Sequence, residues 1–490
     1  MKINPLTCID FYKADHRRQY PAGTTLVYSN FTPRSNHLSN LPDNNDNIVF
    51  FGLQYFIKDF LIEKFNDGFF NRDKKEVVAE YKRRMDTSLG AGAIPVDHIE
   101  ALHDLGYLPL EIRAAPEGSS VRVKVPCLTI KNTVPEFFWL VNYIESVLSA
   151  YIWKPCVSAT TARWYRNLFD SYADSTGAPK EFVPFQGHDF SFRGMSGVYD
   201  AAISGAAHLT SFVGTDTVPA IDLLEQYYVS DAEKELIGCS VPATEHSVMC
   251  MGTKENEIDT FRHLITKLYP SGIVSIVSDT WDFWRVVTEY LPELKSEILS
   301  RSGNPIANKV VIRPDSGDPV KIIVGDPDAE IDSPQHKGAI ECMWEIFGGT
   351  ITDLGYKVLD QHIGLIYGDS ITPQRAKDIL DGLKNKGFAS SNVVLGIGSF
   401  TYQYCTRDTY GFAVKSTYGE VNGEPRLIYK DPKTDNGMKK SARGLLVVRD
   451  GNLLDEQMSD DGGDLVPVFR NGKILNEQNL SDIRSLVSER

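Results

Sequence analysis

Seven polar stretches in the middle of the chain hold the residue types that do chemistry. They are QGHDFSFRG (186–194), GTDTV (214–218), PATEHS (242–247), SDTWD (278–282), RPDSGDP (313–319), YGDSIT (367–372) and GIGSFTYQ (396–403). Nearly all offer Asp, Arg, His, or Gly with Ser. Clustered carboxylates suit Mg²⁺, a hard cation that takes oxygen ligands and usually keeps waters. Arg193 and Arg313 are forked donors suited to phosphate or pyrophosphate. Gly368-Asp369 and Gly396-x-Gly398-Ser399 let backbone N–H groups approach phosphate oxygens, with helix N-termini behind them. The chemistry this set suggests is the handling of a phosphorylated ligand. Singly, each has a plainer reading. An Asp at a strand end often caps a helix, and a G-x-G serves any tight turn. The convergence of several such stretches outweighs those readings.

What must position them is a series of short apolar runs, each ending at or near one of these stretches. The runs are EFVPF (181–185), LTSFV (209–213), GIVSIV (272–277), KVVIR (309–313), IGLIY (363–367) and NVVLG (392–396). Helix-length segments alternate with them: one after Thr244, then TWDFWRVVTEYL, GAIECMWEIFGGTITDLG and TPQRAKDILDGLKNK. The last has a Thr N-cap and Pro in its first turn. Strand–helix alternation over this length predicts a parallel α/β architecture. Six runs, plus one concealed near GCSVPATEHS, approach the eight of a closed barrel, and an open doubly wound sheet stays in play. In such folds the C-terminal strand ends share one face, where active sites are built. The flanks differ, mixing strand, helix and turn patterns. The expected division is 1–150 and 401–490 as two parts of a mixed α+β domain around a 151–400 barrel.

The bulk composition narrows the function classes. At 490 residues the chain has length for roughly two to four domains. A net charge of −14 repels nucleic acid and anionic membrane, so an anionic ligand needs a local basic cluster. The seven cysteines are scattered and form no C-x-x-C, which fits a reducing cytoplasm better than zinc or disulfides. No run of 18 apolar residues occurs, and the opening residues lack a signal-type apolar core.

In chain order, GHDFSFRG, GTDTV, SVPATEHS, VSIVSDTWD, VIRPDSGDP, YGDSIT and TRD resemble the nicotinamide phosphoribosyltransferase family. DFYKADHRRQYP, FGLQYFI and PLEIRAAPEG extend the resemblance through the N-terminal flank. It implies transfer of phosphoribose from phosphoribosyl pyrophosphate to nicotinamide, with Mg²⁺ required and ATP hydrolysis coupled through a phosphohistidine. It also implies an irregular α/β barrel with a mixed second domain, in a homodimer whose active sites lie at the interface.

Carried over residue by residue, the resemblance makes His246 the phosphoacceptor, oriented by Asp279, and puts Asp315 beside the sugar. Phe190 stacks on the pyridine ring, with Tyr12 of the partner subunit over the other face. Asp216 accepts a hydrogen bond from the carboxamide and repels nicotinic acid. Arg193, Ser275, Arg313, Gly368, Asp369 and Gly398 join the substrate set. Arg34, Arg407, Lys415 and Lys430 are the further phosphate contacts. The ligands of the metal stay unassigned. Phe400 adds bulk to a loop that is richer in glycine in the family. The nearest competing activity is a nicotinate-preferring transferase, against which Asp216 argues.

Overall fold

The computed structural model describes residues 3–42, 46–302, 308–368, 370–430 and 442–489. The chain forms two compact units. One gathers Met1–Thr160, Leu223–Asp231 and Cys405–Arg490, the other Thr161–Asp222 and Ala232–Tyr404.

The first unit is built on an antiparallel sheet of seven strands. Their order is Glu424–Leu427, Ala413–Val421, Thr24–Thr32, Leu128–Asn132, Leu110–Ala114, Val466–Arg470 and Lys473–Ile474. Thr24–Thr32 reads TTLVYSNFT, rich in the β-branched and aromatic residues that suit a pleated surface. It pairs with Ala413–Val421 on one side and Leu128–Asn132 on the other. Early and late parts of the chain are thus interleaved in one sheet. The segment 223–231 joins this unit rather than the neighbouring sequence, through buried polar ties. Tyr228 donates its hydroxyl to Glu117 at 2.9 Å, and the Gln54 amide donates to the Tyr227 carbonyl at 2.7 Å. Burial raises Glu117 to about 7, against the pull of donors from Gln54, Gly52 and Tyr228.

The main sheet of the second unit has six strands among the described residues: β1 Gly187–Asp189, β2 Gly214–Thr215, β3 Val274–Val277, β4 Val310–Arg313, β5 Ile363–Tyr367 and β6 Val393–Ile397. Their order is β2-β1-β6-β5-β4-β3, and every pairing is parallel. The sheet is curled, because one short segment reaches both of its edges. Cys239 bridges in parallel to Gly214 on β2, and Ala243 to Ser275 on β3. The Thr215 N–H donates to the Cys239 carbonyl, and the Ser275 N–H to the Pro242 carbonyl, each at 2.9 Å. This is the GCSVPATEHS stretch.

Along β3 to β6 the pleat sorts side chains by twos. Val310, Ile312, Ile363, Leu365, Tyr367, Val393, Leu395 and Ile397 enter the unit's hydrophobic core with the helices. Ser275, Arg313, Gly364, Gly368 and Gly396 occupy the alternate positions. Helix Pro373–Asn385 starts as its sequence predicts, with the Thr372 hydroxyl accepting from the Arg375 N–H at 3.2 Å.

Two expected strands are not strands. EFVPF forms a 3₁₀ turn, Lys180–Phe182, and helix Val183–Gln186. Pro184 lacks an N–H and suits the first turn of a helix. LTSFV is the buried turn that follows helix Val198–His208. In both places the strand begins just after the apolar run. GAIECMWEIFGGTITDLG ends its helix at Phe347, and the β-branched TIT region then pairs as a hairpin, Gly349–Ile351 with Lys357–Leu359. The segment after Thr244 is also split, into His246–Met251 and Glu257–His263.

Candidate active site

β1 delivers Phe190 directly from its end, where the Phe190 N–H still bonds the Ile397 carbonyl of β6 at 3.1 Å. The Phe190 ring lies against Gly396 of β6, the residue paired in register with His188. A Cβ there would lie 2.7 Å from Phe190 Cδ2, so only glycine leaves room for the ring. Arg313, at the end of β4, holds its guanidinium 5.3 Å from the Phe190 ring centroid. The His188 ring lies 4.5 Å from that of Phe190 on the same side of the unit.

β2 delivers Asp216. Its backbone N–H bonds the Asp189 carbonyl at 2.9 Å. Its Oδ1 accepts from His188 Nε2 at 2.9 Å and from the Ser240 hydroxyl at 2.6 Å. Burial pushes this carboxyl up, but the bonds from His188 and Ser240 and the electrostatic pull of His188 and Arg313 outweigh it. The net effect holds Asp216 below the usual carboxylate range. The result is an ionised acceptor beside an aromatic ring and a guanidinium.

β3 and β4 deliver the second cluster. His246, the first residue of helix His246–Met251, lies with Nε2 3.0 Å from Asp279 Oδ1. Asp279 Oδ2 accepts from the Asp315 N–H at 3.0 Å and the Ser316 hydroxyl at 2.5 Å. Burial raises Asp279, yet these donors and His246 carry it below the ordinary value. Arg313 and Asp315 pair at 3.4 Å. The turn after them is pinned by Tyr367, whose hydroxyl donates to the Gly317 carbonyl at 2.9 Å. Gly368 lies against the pair. A Cβ there would overlap Asp315 Oδ1 and lie 3.0 Å from Arg313 Nε.

Phe190, Asp216, His246, Asp279, Arg313 and Asp315 therefore form one connected set. Ser275, on β3, is 4% exposed, and its hydroxyl has no partner among the described residues. Gly398 precedes helix Ser399–Gln403, and the Phe192–Gly194 turn that bears the exposed Arg193 packs against Ser399. Asp369 lies outside the described residues. His188, Ser240 and Ser316 are site residues that sequence reasoning did not single out. Their one visible signal was position, each within two residues of a quoted motif or inside it.

The remaining candidates belong to the first unit. Tyr12 is 61% exposed, with Lys13 Nζ 5.1 Å from its ring. Lys13 is buried and paired with Glu145. Arg34 Nε donates to the Gly411 carbonyl at 2.7 Å. Burial lowers Lys415, and the positive charge of Arg34, Lys430 and Arg407 lowers it further against the pull of Glu145. These four cations thus share one local basic patch in a chain of net charge −14.

Among the described residues no three His, Cys, Asp or Glu side chains converge as metal ligands. Both oxygens of Asp279 are already engaged. A magnesium ion here would draw on Asp315 and take its other ligands from phosphate and water, a pattern that suits this cation. Among the described residues no helix is long and apolar enough to cross a membrane.

The nicotinate phosphoribosyltransferase (NAPRTase) family matches residues 185–468, and the nicotinamide phosphoribosyltransferase N-terminal domain matches 4–85. A nicotinamide phosphoribosyltransferase of Acinetobacter baylyi is 63% identical, over 100% of this chain and 98% of its own. One of Xanthomonas campestris is 34% identical, over 98% and 97%. In fold, the chain is similar to the crystal structure of nicotinate-nucleotide pyrophosphorylase from Pyrococcus furiosus. That match has a TM-score of 0.58 at 13% identity and covers 99% of this chain and 95% of the other. With relatives this similar along its whole length, the chain belongs to the nicotinamide phosphoribosyltransferases of the nicotinate phosphoribosyltransferase family.

Proposed function

We propose that this chain transfers phosphoribose from 5-phosphoribosyl 1-pyrophosphate to nicotinamide, giving nicotinamide mononucleotide and pyrophosphate. The observation that carries this reading is the ionised Asp216 held beside Phe190 and Arg313. A carboxamide offers an accepting oxygen and a donating NH₂. Arg313 can meet its oxygen and Asp216 its NH₂, while the ring lies on Phe190. Nicotinate would bring a second carboxylate toward Asp216 instead.

The pyridine nitrogen already has a lone pair, so it needs no base. That pair forms the bond to the ribose C1 as the C1–oxygen bond breaks, and the electrons leave with pyrophosphate. Catalysis is then positioning and electrostatics. Asp315 favours the positive charge that builds on the sugar. The backbone turns at Gly368 and Gly398, with Arg193, receive phosphate groups. Mg²⁺, when bound, neutralises the diphosphate.

The ATP coupling is part of the same proposal. Asp279 can only accept, so His246 keeps its hydrogen on Nε2 and presents the lone pair of Nδ1. That atom bonds the terminal phosphorus of ATP as the bridging P–O bond breaks and ADP leaves. The curled sheet with segment 239–243 is read as an irregular (β/α) barrel. We also propose a cytoplasmic homodimer. The exposed Phe192, Tyr199, Phe400 and Tyr404 of the second unit offer the apolar surface for it. In that arrangement Tyr12 of the partner subunit covers the base, and the basic patch of the first unit receives phosphate.

The test is direct. Incubated with phosphoribosyl pyrophosphate and Mg²⁺, the protein should convert nicotinamide to its mononucleotide far more readily than nicotinate. No mononucleotide from nicotinamide would refute the activity. A preference for nicotinate would refute the role of Asp216.

A further inference from the structure

Behind the strand exit that holds Asp216 is a layer of buried polar groups with no part in the steps above. His208 closes helix Val198–His208 and is fully buried. Its Nε2 lies 3.0 Å from the Gly214 carbonyl oxygen, and its Nδ1 2.7 Å from the Tyr402 hydroxyl. A carbonyl only accepts, so Nε2 holds the ring hydrogen. Nδ1 is then a bare lone pair, and the Tyr402 hydroxyl donates to it. Burial pushes His208 down to about 4, which keeps the ring neutral and its two ends distinct.

The strand in front of this relay is short. β2 is two residues long, paired with His188 and Asp189 on one side and bridged to Cys239 on the other. Asp216 follows it at once. A strand this short has few ladder bonds on either edge, so what lies behind it also bears on its height. Tyr402 in turn sits on helix Ser399–Gln403, directly after Gly398, and is 1% exposed. Asp189 closes the layer, accepting from the Asp216 N–H on its carbonyl and from the Thr215 hydroxyl on its side chain at 3.4 Å.

We infer that Tyr402 and His208 are positioning residues for base selectivity: their relay to the Gly214 carbonyl fixes the height at which β2 presents the Asp216 carboxylate beside Phe190. The inference rests on the assignment of Asp216 to the carboxamide. Neither residue touches substrate, so the signature is loss of discrimination rather than loss of turnover.

The experiment is Tyr402→Phe, which keeps the ring and its edge-on contact with His208 at 5.8 Å. Without the hydroxyl, Nδ1 can take the hydrogen and leave the Gly214 carbonyl unmatched. The nicotinamide KM should rise about three- to tenfold, the effect of one hydrogen bond. The nicotinamide-to-nicotinate ratio of kcat/KM should fall by the same factor. kcat and the KM for phosphoribosyl pyrophosphate should stay within about twofold, since neither depends on that bond. Tyr165→Phe is the control. It deletes another buried phenol bond of this unit, to the Ile371 carbonyl at 2.8 Å, and should lower Tm without moving the ratio. His208→Leu should reproduce the loss of selectivity, and if it does not fold, Tyr402→Phe decides alone. An unchanged ratio in Tyr402→Phe overturns the inference whatever its Tm, and so does an equal fall in Tyr165→Phe. A parent protein inactive on both bases defeats the proposed function, and this inference with it. A parent that selects nicotinamide, beside a Tyr402→Phe variant that selects it equally well, defeats the inference alone.

Discussion

Asp216→Asn isolates charge at nearly constant shape. Two unit charges about 4 Å apart repel by about 4 kcal/mol at an effective dielectric near 20, and by about 1 kcal/mol in water. The Asp216 side chain is 43% exposed, so its interaction with a bound nicotinate carboxylate falls between those limits. About 1.5–2 kcal/mol is a fair working figure, and it converts to about a ten- to thirtyfold loss of discrimination against nicotinate. Asparagine still offers an oxygen to His188 and Ser240, so the local fold should survive. The assay compares kcat/KM for the two bases in the parent and the variant, at low and high salt. The pH dependence has a definite sign. Asp216 is held below the ordinary carboxylate value, so it stays ionised from neutral pH down through the usual range. Discrimination in the parent should be flat across that span and fail only as pH drops through the lowered folded value. Any stability it contributes is lost in the same direction. A ratio that moves less than about threefold in the variant would refute the electrostatic account. So would equal losses for both bases, which would make Asp216 merely structural.

Other perturbations read other parts of the site. His246→Ala should abolish stimulation by ATP and any acid-labile phosphate on the protein, while transfer without ATP persists, as a coupled assay with and without ATP would measure. Gly396→Ala should raise the nicotinamide KM by an order of magnitude or more, because the new methyl meets the Phe190 ring at 2.7 Å and the Tyr367 carbonyl at 2.8 Å. Steady-state kinetics at saturating phosphoribosyl pyrophosphate would show it. Thr372→Ala removes the cap of helix Pro373–Asn385. It should cost about 1 kcal/mol in denaturant unfolding with little change in kcat.

The site was legible in the sequence to the extent that it hangs on strand exits. KVVIR and IGLIY are β-branched runs that end in Arg313-Pro-Asp315 and Gly368, and each became a strand as written. The exits of β1 and β2 were visible, but their strands were not. The apolar runs before them are helix and turn, and hydrophobicity alone does not separate a short helix from a strand. The partners of Asp216 were hidden for a different reason. His188 and Ser240 reach it only because β1 adjoins β2 and segment 239–243 adjoins β2 on its other side, and no local pattern encodes that adjacency. The segment 223–231 was unreadable in the same way. Its place in the first unit depends on Tyr228 meeting Glu117, 111 positions away.

The interleaved sheet of the first unit bears on how the polypeptide matures. Thr24 faces Val421 across two adjoining strands, so Thr24–Thr32 is made long before its neighbour exists. At a translation rate of about 5–20 residues per second the wait is roughly 20–80 s. Through that interval the nascent strand has one hydrogen-bonding edge open, and the Phe31 side chain lacks Phe412, on which it stacks at 5.0 Å. The parallel sheet of the second unit has no such debt to the C-terminus, since its last strand ends at Ile397. Nascent chains whose residues up to about 404 have emerged from the ribosome should therefore hold an ordered second unit and a protease-sensitive first one. Chaperone dependence of this enzyme would then be a property of its antiparallel sheet rather than of the catalytic strands.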